Sequence, residues 1–380
     1  MVEKSSVSKK LKDLFDKKEK EEKEQLKEKK TLPTKPNFNE SINVNNKNFS
    51  GLKNLGNTCY INVAIQCLLS NKNLIKILKE KLEYVKNEDQ IIIETEYNCL
   101  YNLSKTLEFY MDKTLHLATK FIKTLGLIYD PFSNQNDSGE FISFILNQID
   151  LEISKIDNKF KSYYIDNTKK NIESKESEWE VVKKDGKRMK LLNENISSLR
   201  SSIGGIISYE IIKSGTSLTE IRSDPFFILN VNNKNQIIED NISSYFNKND
   251  IDGSKEIKTK FYIDYLSDFI IIQVKSFYYD KNRKQILKDK NPLKFDFTLE
   301  IIKEWVNPFK EIEFKNLKYE LCSIIVHLGK EVSEGHYICY SKTIENNIES
   351  WLMINDDKII KVNKSDILKL RPYLLFYKKL

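Results

Sequence analysis

The sequence predicts an α+β fold, in which a mainly helical first part precedes a second part made of β-strands. Two observations carry this prediction. From residue 49 to about 147 the apolar residues have helical spacing, whereas after residue 201 short β-branched and aromatic runs dominate. We expect one antiparallel sheet packed against the helical part. Its candidate strands are 203–212, 226–231, 269–277, 318–328, 335–341, 351–354 and 373–377.

The first 48 residues differ from the rest of the chain in composition. They hold 13 lysines and 9 acidic residues with few apolar ones, and their last part is an asparagine-rich stretch that follows two prolines. Such a segment cannot bury enough apolar surface to fold alone. We predict a disordered extension and linker over 1–48, followed by one domain over 49–380. A docking or localisation arm is the functional alternative for the extension.

The first helix of the domain places a thiol where it can act as a nucleophile. Residues 56–58, Gly-Asn-Thr, are turn and capping types, and the apolar run after them predicts a buried helix that begins near Cys59. The dipole and free N–H groups at a helix N-terminus favour a thiolate. Cys59 is therefore the leading catalytic candidate. The cysteines expected in the core instead are Cys67, Cys99, Cys322 and Cys339.

A second helix is expected from about residue 137 to 149. Asp137 and Glu140 at its start favour the positive end of the helix dipole, whatever else they do. The lysine- and glutamate-rich stretch 152–200 that follows predicts an exposed insertion before the strands begin.

One histidine lies in a strand with surroundings that favour catalysis. His336 begins an alternating run, and Gly335 before it would let backbone or substrate approach the ring. A hairpin to the strand at 351–354 would bring Asn355 or Asp356 beside the imidazole. A thiol, a histidine and an amide or carboxylate in this chain order form a papain-like arrangement. The histidines expected to support the fold or to be incidental are His327 and His116.

Charge and cysteine content limit the function classes. The net charge is +7, of which +4 lies in the first 48 residues, so the body carries no concentrated basic face. We therefore expect no nucleic-acid partner. No run of 18 apolar residues and no secretory signal is present, and five irregularly spaced cysteines predict free thiols. An intracellular, cytoplasmic protein without a membrane partner is expected.

Four segments have the residue types and the order of a known enzyme family. They are 51–69 (GLKNLGNTCYINVAIQCLL), 135–141 (QNDSGEF), 327–337 with its HLG and EGHY ends, and 351–357 with the closing 371–377 (RPYLLFY). The sequence thereby resembles the ubiquitin-specific proteases, which are papain-like deubiquitinating cysteine peptidases. The resemblance implies that 49–380 is a catalytic domain with a helical thumb, a β palm and β fingers, and with its active site between thumb and palm.

The resemblance also implies a role for each matching residue. Cys59 matches the nucleophile, and His336 matches the general base that later protonates the leaving amine. Asn355 matches the residue that orients the histidine, with Asp356 as its possible support. Asn54 matches the side-chain amide that, with the Cys59 backbone N–H, stabilises the oxyanion.

Substrate contacts are implied at four further positions. Asp137 matches a position that contacts the arginine-containing tail of ubiquitin, and Tyr337 would line the channel for the last glycines of that tail. The other two residues assigned to substrate binding are Glu140 and Gly335.

The fingers depart from the pattern of many relatives, which bind a structural zinc through two Cys-x-x-Cys pairs. Ile211 and Ser214 occupy the ligand positions of the first pair, and no second pair exists between 247 and 261. We predict no zinc and no other cofactor. Ser276 stands where relatives usually carry an arginine, a change that leaves the strand intact.

The expected function is that of a thiol-dependent deubiquitinase, which hydrolyses the (iso)peptide or thioester bond at the C-terminal glycine of ubiquitin. Its partners would be ubiquitin and ubiquitinated proteins, and a monomer is expected. Two alternatives stay open: a protease for another ubiquitin-like modifier, and an inactive ubiquitin-binding module. A nucleic-acid binder is a distant third interpretation.

Overall fold

The structure is a computed structural model of the 380-residue chain. It describes residues 50–111, 136–168, 180–182, 188–190, 197–213, 219–247, 249–252, 255–281, 284–289, 291–310, 314–329 and 335–380. All of these residues belong to one compact unit, Ile42–Leu380. The predicted extension 1–48 and His116 lie outside the described residues, so the statements about them stay predictions.

Helices form the first part of the described chain. They are α1 (Cys59–Leu68), α2 (Lys72–Val85), α3 (Gln90–Glu96), α4 (Asn98–Met111) and α5 (Ser138–Thr168). Every residue of α1 is buried, which explains its nearly continuous apolar sequence. In contrast, α2 buries a single stripe at helical spacing and exposes most of its charged residues to solvent. The stripe consists of Leu74, Leu78, Leu82 and Val85.

Helix α5 is longer than the sequence predicted. The predicted helix ends near residue 149, but α5 continues to Thr168, into the stretch expected to be an exposed insertion. Buried Ile149, Ile153 and Ile156 continue its apolar stripe. Asp157 also forms an ion pair of 2.5 Å with Lys81 of α2. The prediction was wrong because the charged residues on the exposed face concealed this stripe.

Strands make up most of the later part. In chain order they are β1 (Glu180–Val182), β2 (Arg188–Lys190), β3 (Gly205–Lys213), β4 (Thr219–Phe226), β5 (Ile228–Asn232), β6 (Asn249–Asp252), β7 (Lys255–Leu266), β8 (Phe269–Lys275), β9 (Phe277–Asp280), β10 (Gln285–Lys288), β11 (Thr298–Glu300), β12 (Lys318–Leu328), β13 (His336–Glu345), β14 (Ile348–Asn355), β15 (Lys358–Val362) and β16 (Leu374–Lys379). Two helices lie among them, α6 (Ile238–Phe246) and α7 (Lys364–Ile367), with a 3₁₀ turn at Lys303–Trp305.

The largest sheet has eight strands in the order β15-β14-β13-β12-β16-β8-β5, with β11 also paired to β12. Its pairs are antiparallel except for β5 and β8, which run parallel. The prediction of a purely antiparallel sheet is therefore wrong at this edge. A separate four-stranded sheet has the order β4-β3-β7-β6, and β1–β2 and β9–β10 form two-stranded sheets. The α+β class is confirmed.

The hairpin β13–β14 positions the polar residues expected in the site. Asn346 and Asn347 form its turn, both with positive φ (49° and 62°), a conformation that asparagine tolerates better than most residues. Helix α1 packs against β13 and β12. Consequently the beginning of α1, the beginning of β13 and the end of β14 meet in one place. Within the described ranges, no helix is both long and apolar enough to cross a membrane.

Candidate active site

Three side chains that are distant in the sequence meet at the start of α1. The His336 imidazole is hydrogen-bonded to Cys59, and its Nε2 lies 2.6 Å from Asn355 Oδ1. A carbonyl oxygen can only accept a hydrogen bond, so Nε2 carries the proton and donates it. Nδ1 is then the nitrogen that remains for the thiol. This tautomer places an unprotonated nitrogen where a proton acceptor is needed.

The local sequence explains the position of Cys59. Cys59 is the first residue of α1, and only 3% of it is exposed. The Thr58 carbonyl accepts the first intrahelical bonds, and Gly56 turns the chain with a φ of +120°. The thiol therefore lies at the positive end of the helix dipole, as the sequence predicted.

The electrostatic environment raises the pKa of His336 above its ordinary value. Burial is the largest influence and opposes the charged ring, but the hydrogen bonds with Cys59 and Asn355 and the charges of Cys59 and Asp356 outweigh it. Asp356 Oδ2 lies 3.6 Å from His336 Nε2. Such a ring is suited to take a proton from the neighbouring thiol.

Asn54, the residue expected to bind the oxyanion, has an amide that is held at both ends. Its Oδ1 accepts from the backbone N–H groups of Gly56 at 3.1 Å and Thr58 at 3.2 Å. Its Nδ2 donates to Asp356 Oδ2 at 3.1 Å. An amide NH₂ group carries two protons, so one of them remains for a developing oxyanion.

The segment around Asn54 lies directly against the turn that carries Asp356. The Leu52 N–H donates to the Asp356 carbonyl at 2.9 Å. Gly51 packs so closely on the backbone of Asp357 that a Cβ there would overlap it. The sequence contained no signal for this contact, because the two segments are about 300 residues apart.

Asp137 caps helix α5 and also bonds to the carboxyl-terminal strand region. Its Oδ1 accepts from the N–H groups of Gly139 at 2.6 Å and Glu140 at 3.0 Å, and its Oδ2 accepts from the Tyr373 hydroxyl. Gln273 Nε2 donates to the same hydroxyl at 3.1 Å. Glu140 is exposed in the first turn. The expected contact of Asp137 and Glu140 with substrate stays a prediction.

Tyr337 and Gly335 both lie against His327 in the structure. Tyr337 is fully buried, with its ring centroid 4.7 Å from that of His327 and 5.8 Å from that of Tyr373. It therefore presents no surface to a channel in this structure. A Cβ at Gly335 would overlap His327 Nε2, so glycine at this position allows the backbone to pack closely on the His327 ring.

His327 is the centre of a second polar cluster, which sequence reasoning missed. Lys288 Nζ lies 3.1 Å from His327 Nδ1 and donates to the carbonyls of His327 at 2.8 Å and Gly329 at 2.9 Å. Burial, followed by the positive charges of Lys288 and His336, lowers the pKa of His327 to about 4. Burial and Arg371 lower the pKa of Lys288 to about 8. No sequence motif marked Lys288 as a partner.

The sequence also pointed to the other cysteines and to the positions where many relatives carry zinc ligands. The cysteines expected in the core are buried and free, as predicted: Cys67, Cys99, Cys322 and Cys339. In the part of the chain that the structure describes, no group of three His, Cys, Asp or Glu side chains could hold a metal ion. Ile211 lies in β3, whereas Ser214 falls outside the described residues. The absence of zinc stays a prediction.

Comparison with known families decides what this fold is. The family model described as ubiquitin carboxyl-terminal hydrolase matches residues 50–377. The chain belongs to this family. Ubiquitin carboxyl-terminal hydrolase 24 of Arabidopsis thaliana is 23% identical over 368 residues, which cover 87% of this chain and 64% of the relative. Ubiquitin carboxyl-terminal hydrolase 8 of Saccharomyces cerevisiae is 24% identical and is matched over 86% of this chain and 70% of the relative.

Solved structures support the same fold. The yeast SAGA Ubp8/Sgf11/Sus1/Sgf73 DUB module bound to ubiquitin aldehyde contains a chain with a TM-score of 0.64 and 20% identity, over 88% of this chain and 70% of that one. The same module with a substituted Ubp8, bound to monoubiquitin, gives a TM-score of 0.63. The predicted papain-like fold of the ubiquitin-specific proteases is thereby confirmed. This chain spans 64% and 39% of the first two curated relatives, so it corresponds to only part of those proteins.

Proposed function

We propose that this chain is a deubiquitinating cysteine protease that hydrolyses the (iso)peptide or thioester bond at the C-terminal glycine of ubiquitin. The observation that carries this proposal is the series of hydrogen bonds from Cys59 to His336 to Asn355, at a helix N-terminus in a chain of this family. The fold of neighbours solved with ubiquitin aldehyde and with monoubiquitin supports the choice of substrate.

Acylation would begin with proton transfer from the Cys59 thiol to His336 Nδ1. The Cys59 sulfur attacks the carbonyl carbon of the terminal glycine, and the C=O electron pair moves to the oxygen. The Asn54 Nδ2 and the Cys59 backbone N–H stabilise this oxyanion. As the intermediate collapses, the C–N bond breaks and His336 gives its proton to the leaving lysine amine. The product is a thioester on Cys59.

Deacylation would reverse the roles with water as the nucleophile. His336 takes a proton from the water while the water oxygen attacks the thioester carbon. The C–S bond then breaks, and the released thiolate is restored beside the protonated ring. Throughout, Asn355 holds the imidazole in one tautomer, and the Asp356 carboxylate supports the positive charge on the ring. No step requires a metal or an organic cofactor.

Substrate recognition would use the residues around this centre. We assign the contacts with the ubiquitin tail to Asp137, Glu140 and Gly335. Tyr337, which is fully buried, would support this surface from below without contacting the tail. Ubiquitin and ubiquitinated proteins are the proposed partners. A monomer without bound nucleic acid, membrane or zinc is sufficient for this chemistry.

The decisive experiment measures hydrolysis of ubiquitin that carries a fluorogenic amide at its C-terminus. Cys59→Ala should lower turnover by at least about 10⁴-fold, because it removes the nucleophile. Binding of ubiquitin, measured by calorimetry, should be retained. The matched control is Cys67→Ala, a buried thiol on the same helix that should keep most of the activity. Undiminished turnover in Cys59→Ala would refute the proposal.

A competition experiment separates the alternatives. Ubiquitin and other ubiquitin-like modifiers, each with a thiol-reactive C-terminus, are mixed with the protein, and the adduct on Cys59 is identified by mass spectrometry. The proposal expects the ubiquitin adduct to dominate. Dominance of another modifier would change the substrate, and binding of ubiquitin without any adduct would indicate an inactive binding module.

A further inference from the structure

The amide of Asn62 joins the three segments that carry the proposed catalytic residues. Asn62 lies on α1, one turn beyond Cys59, and is 1% exposed. Its Nδ2 donates to Asp356 Oδ1 at 2.8 Å and to the Leu52 carbonyl at 3.2 Å, with the Lys53 carbonyl at 3.4 Å. One buried side chain thus links the nucleophile helix to the segment before it and to the turn after β14.

The Asp356 carboxylate transmits this restraint to two other groups. While Oδ1 accepts from Asn62, Oδ2 accepts from Asn54 Nδ2 at 3.1 Å and lies 3.6 Å from His336 Nε2. Both oxygens belong to one planar group, so fixing the first also fixes the direction of the second. Asp356 has a φ of +53°, a backbone conformation that is unfavourable for most residues and needs support from its surroundings.

We propose that Asn62 is a positioning residue for the reaction: its amide holds the Asp356 carboxylate so that Asn54 keeps one N–H directed at the oxyanion. The inference rests on the proposed function and deepens it. A side-chain donor is required at this position because its bonded neighbours, Asp356 Oδ1 and the Leu52 carbonyl, can only accept. Without that donor, the buried carboxylate loses a partner and the turn gains freedom to rotate.

The test compares two substitutions of Asn62 with a control on the same helix. Gln66 lies one turn further along α1, is equally buried, and donates its amide to the Ser50 carbonyl rather than to Asp356. Asn62→Ala should lower kcat by about 10- to 100-fold with little change in KM, because a misplacement of about 1 Å can cost about 100-fold. Gln66→Ala should lower kcat by less than about 3-fold.

A third variant separates positioning from simple packing. Asn62→Asp keeps the size of the side chain but points a carboxylate oxygen at the Asp356 carboxylate, which repels it. If Asn62 acts by donation, Asn62→Asp loses more kcat than Asn62→Ala. If Asn62 only fills space, Asn62→Ala loses more kcat than Asn62→Asp, because the aspartate has the size of asparagine and leaves no cavity. That result would overturn the inference. Urea unfolding of each variant confirms that activities refer to folded protein.

Coupling to Asn54 provides a readout that a purely structural role would not change. In an Asn54→Ala background, Asn62→Ala should cost less than about 3-fold, because the group that it positions is already gone. Equal losses in both backgrounds would contradict the inference. A wild-type protein with no turnover of the ubiquitin amide would instead refute the proposed function. An active wild type with an equally active Asn62→Ala variant would refute the positioning role alone.

Discussion

His336 and His327 lie on neighbouring strands, nine residues apart, yet their surroundings drive their protonation in opposite directions. In the β12–β13 ladder, His327 pairs with Tyr337 and Leu328 pairs with His336. The pKa of His336 is raised although burial opposes the charged ring, whereas burial and the Lys288 ammonium lower that of His327 to about 4. Because both rings lie in the same sheet and burial lowers the pKa of both, the groups around each ring decide which imidazole can act as a base.

The difference between the two regions lies in their partner types. The His336 site offers a thiol, an amide oxygen and a carboxylate, all of which favour a positively charged ring. The His327 cluster offers an ammonium group in a buried setting, which favours a neutral ring. The aromatic rings around His327 belong to Phe277, Tyr337 and Tyr373, with centroids 4.7–6.2 Å away. One region is suited to proton transfer, and the other to fixing the fold beneath it.

The largest effect should come from replacing each histidine by glutamine. His336→Gln should lower kcat/KM for the ubiquitin amide by about 10²- to 10⁴-fold, because it removes the proposed general base. His327→Gln should change it by less than about 5-fold once the folded fraction is accounted for. Steady-state kinetics at neutral pH checks both. Comparable losses in the two variants would end the functional distinction between the regions.

The second prediction concerns stability and pH. His327 takes up a proton more readily in the unfolded chain than in the folded protein, since its pKa is about 6.5 in the former and about 4 in the latter. Its stabilising contribution is therefore complete above pH ~6.5 and is lost as pH falls towards 4, by about 3 kcal/mol. Urea unfolding at several pH values should show this loss in the wild type and not in His327→Gln.

His336 provides the opposite control for that experiment. Its raised pKa makes its contribution to stability largest at low pH, and this contribution is lost as pH rises through the folded-state pKa. His336→Gln should therefore lower the free energy of unfolding at acidic pH and leave it unchanged at neutral pH. A wild-type curve identical to that of His327→Gln would show that the two rings do not differ as described.

A third prediction tests how the His336 ring is held. Asn355→Ala should lower kcat by about 10- to 100-fold, because the Nε2–H loses its acceptor at 2.6 Å and the ring can turn. Asn355→Asp should keep most of the activity, since a carboxylate accepts the same bond. Asp356 Oδ2, 3.6 Å away, can partly replace the lost acceptor. A double substitution of Asn355 and Asp356 by alanine should therefore lose more than the product of the single losses.

The smallest effect is expected from Lys288→Met. The carbonyls of His327 and Gly329 would lose their donor, which should lower stability by about 1–3 kcal/mol. Loss of the ammonium charge should also raise the folded-state pKa of His327 towards its unfolded value, so less stability is lost as pH falls from 6.5 towards 4. Lys361→Met, an exposed lysine on β15, is the control and should change stability by less than about 0.5 kcal/mol. An acid-dependent loss of stability as large as that of the wild type would contradict the role assigned to Lys288.

Helices and strands were predictable from the sequence where the residues of a short segment alone determine its conformation. Strand β12 has the predicted bounds, 318–328, because its residues are apolar and β-branched along much of its length. The start of α1 at Cys59 followed from the turn and capping residues before it. Strand β7 (Lys255–Leu266) was missed, since its alternating charges resemble a solvated loop until it is paired with β3 and β6. The parallel pairing of β5 with β8 is equally invisible in a local pattern.

The candidate site was only partly predictable for the same reason. The thiol, the imidazole and the amide of Asn355 could be named from their motifs, because the chemistry requires those residue types in that order. Asn62 and Lys288 could not, since each acts through contacts with segments far away in the chain. Gly335 shows the limit most clearly: its place before His336 was visible in the sequence, but its close packing on His327 of the neighbouring strand was not.

What the sequence alone determined is the set of reactive groups and the local geometry of a helix start and a hairpin, because these depend on neighbouring residues. The family followed from the same motifs. Only the tertiary structure decided which histidine is hydrogen-bonded to the thiol and which one only lies on the neighbouring strand. Hydrogen bonds and charges act over a few ångströms in space, and the fold alone brings the segment of Asn54 and the turn of Asp356 within that distance.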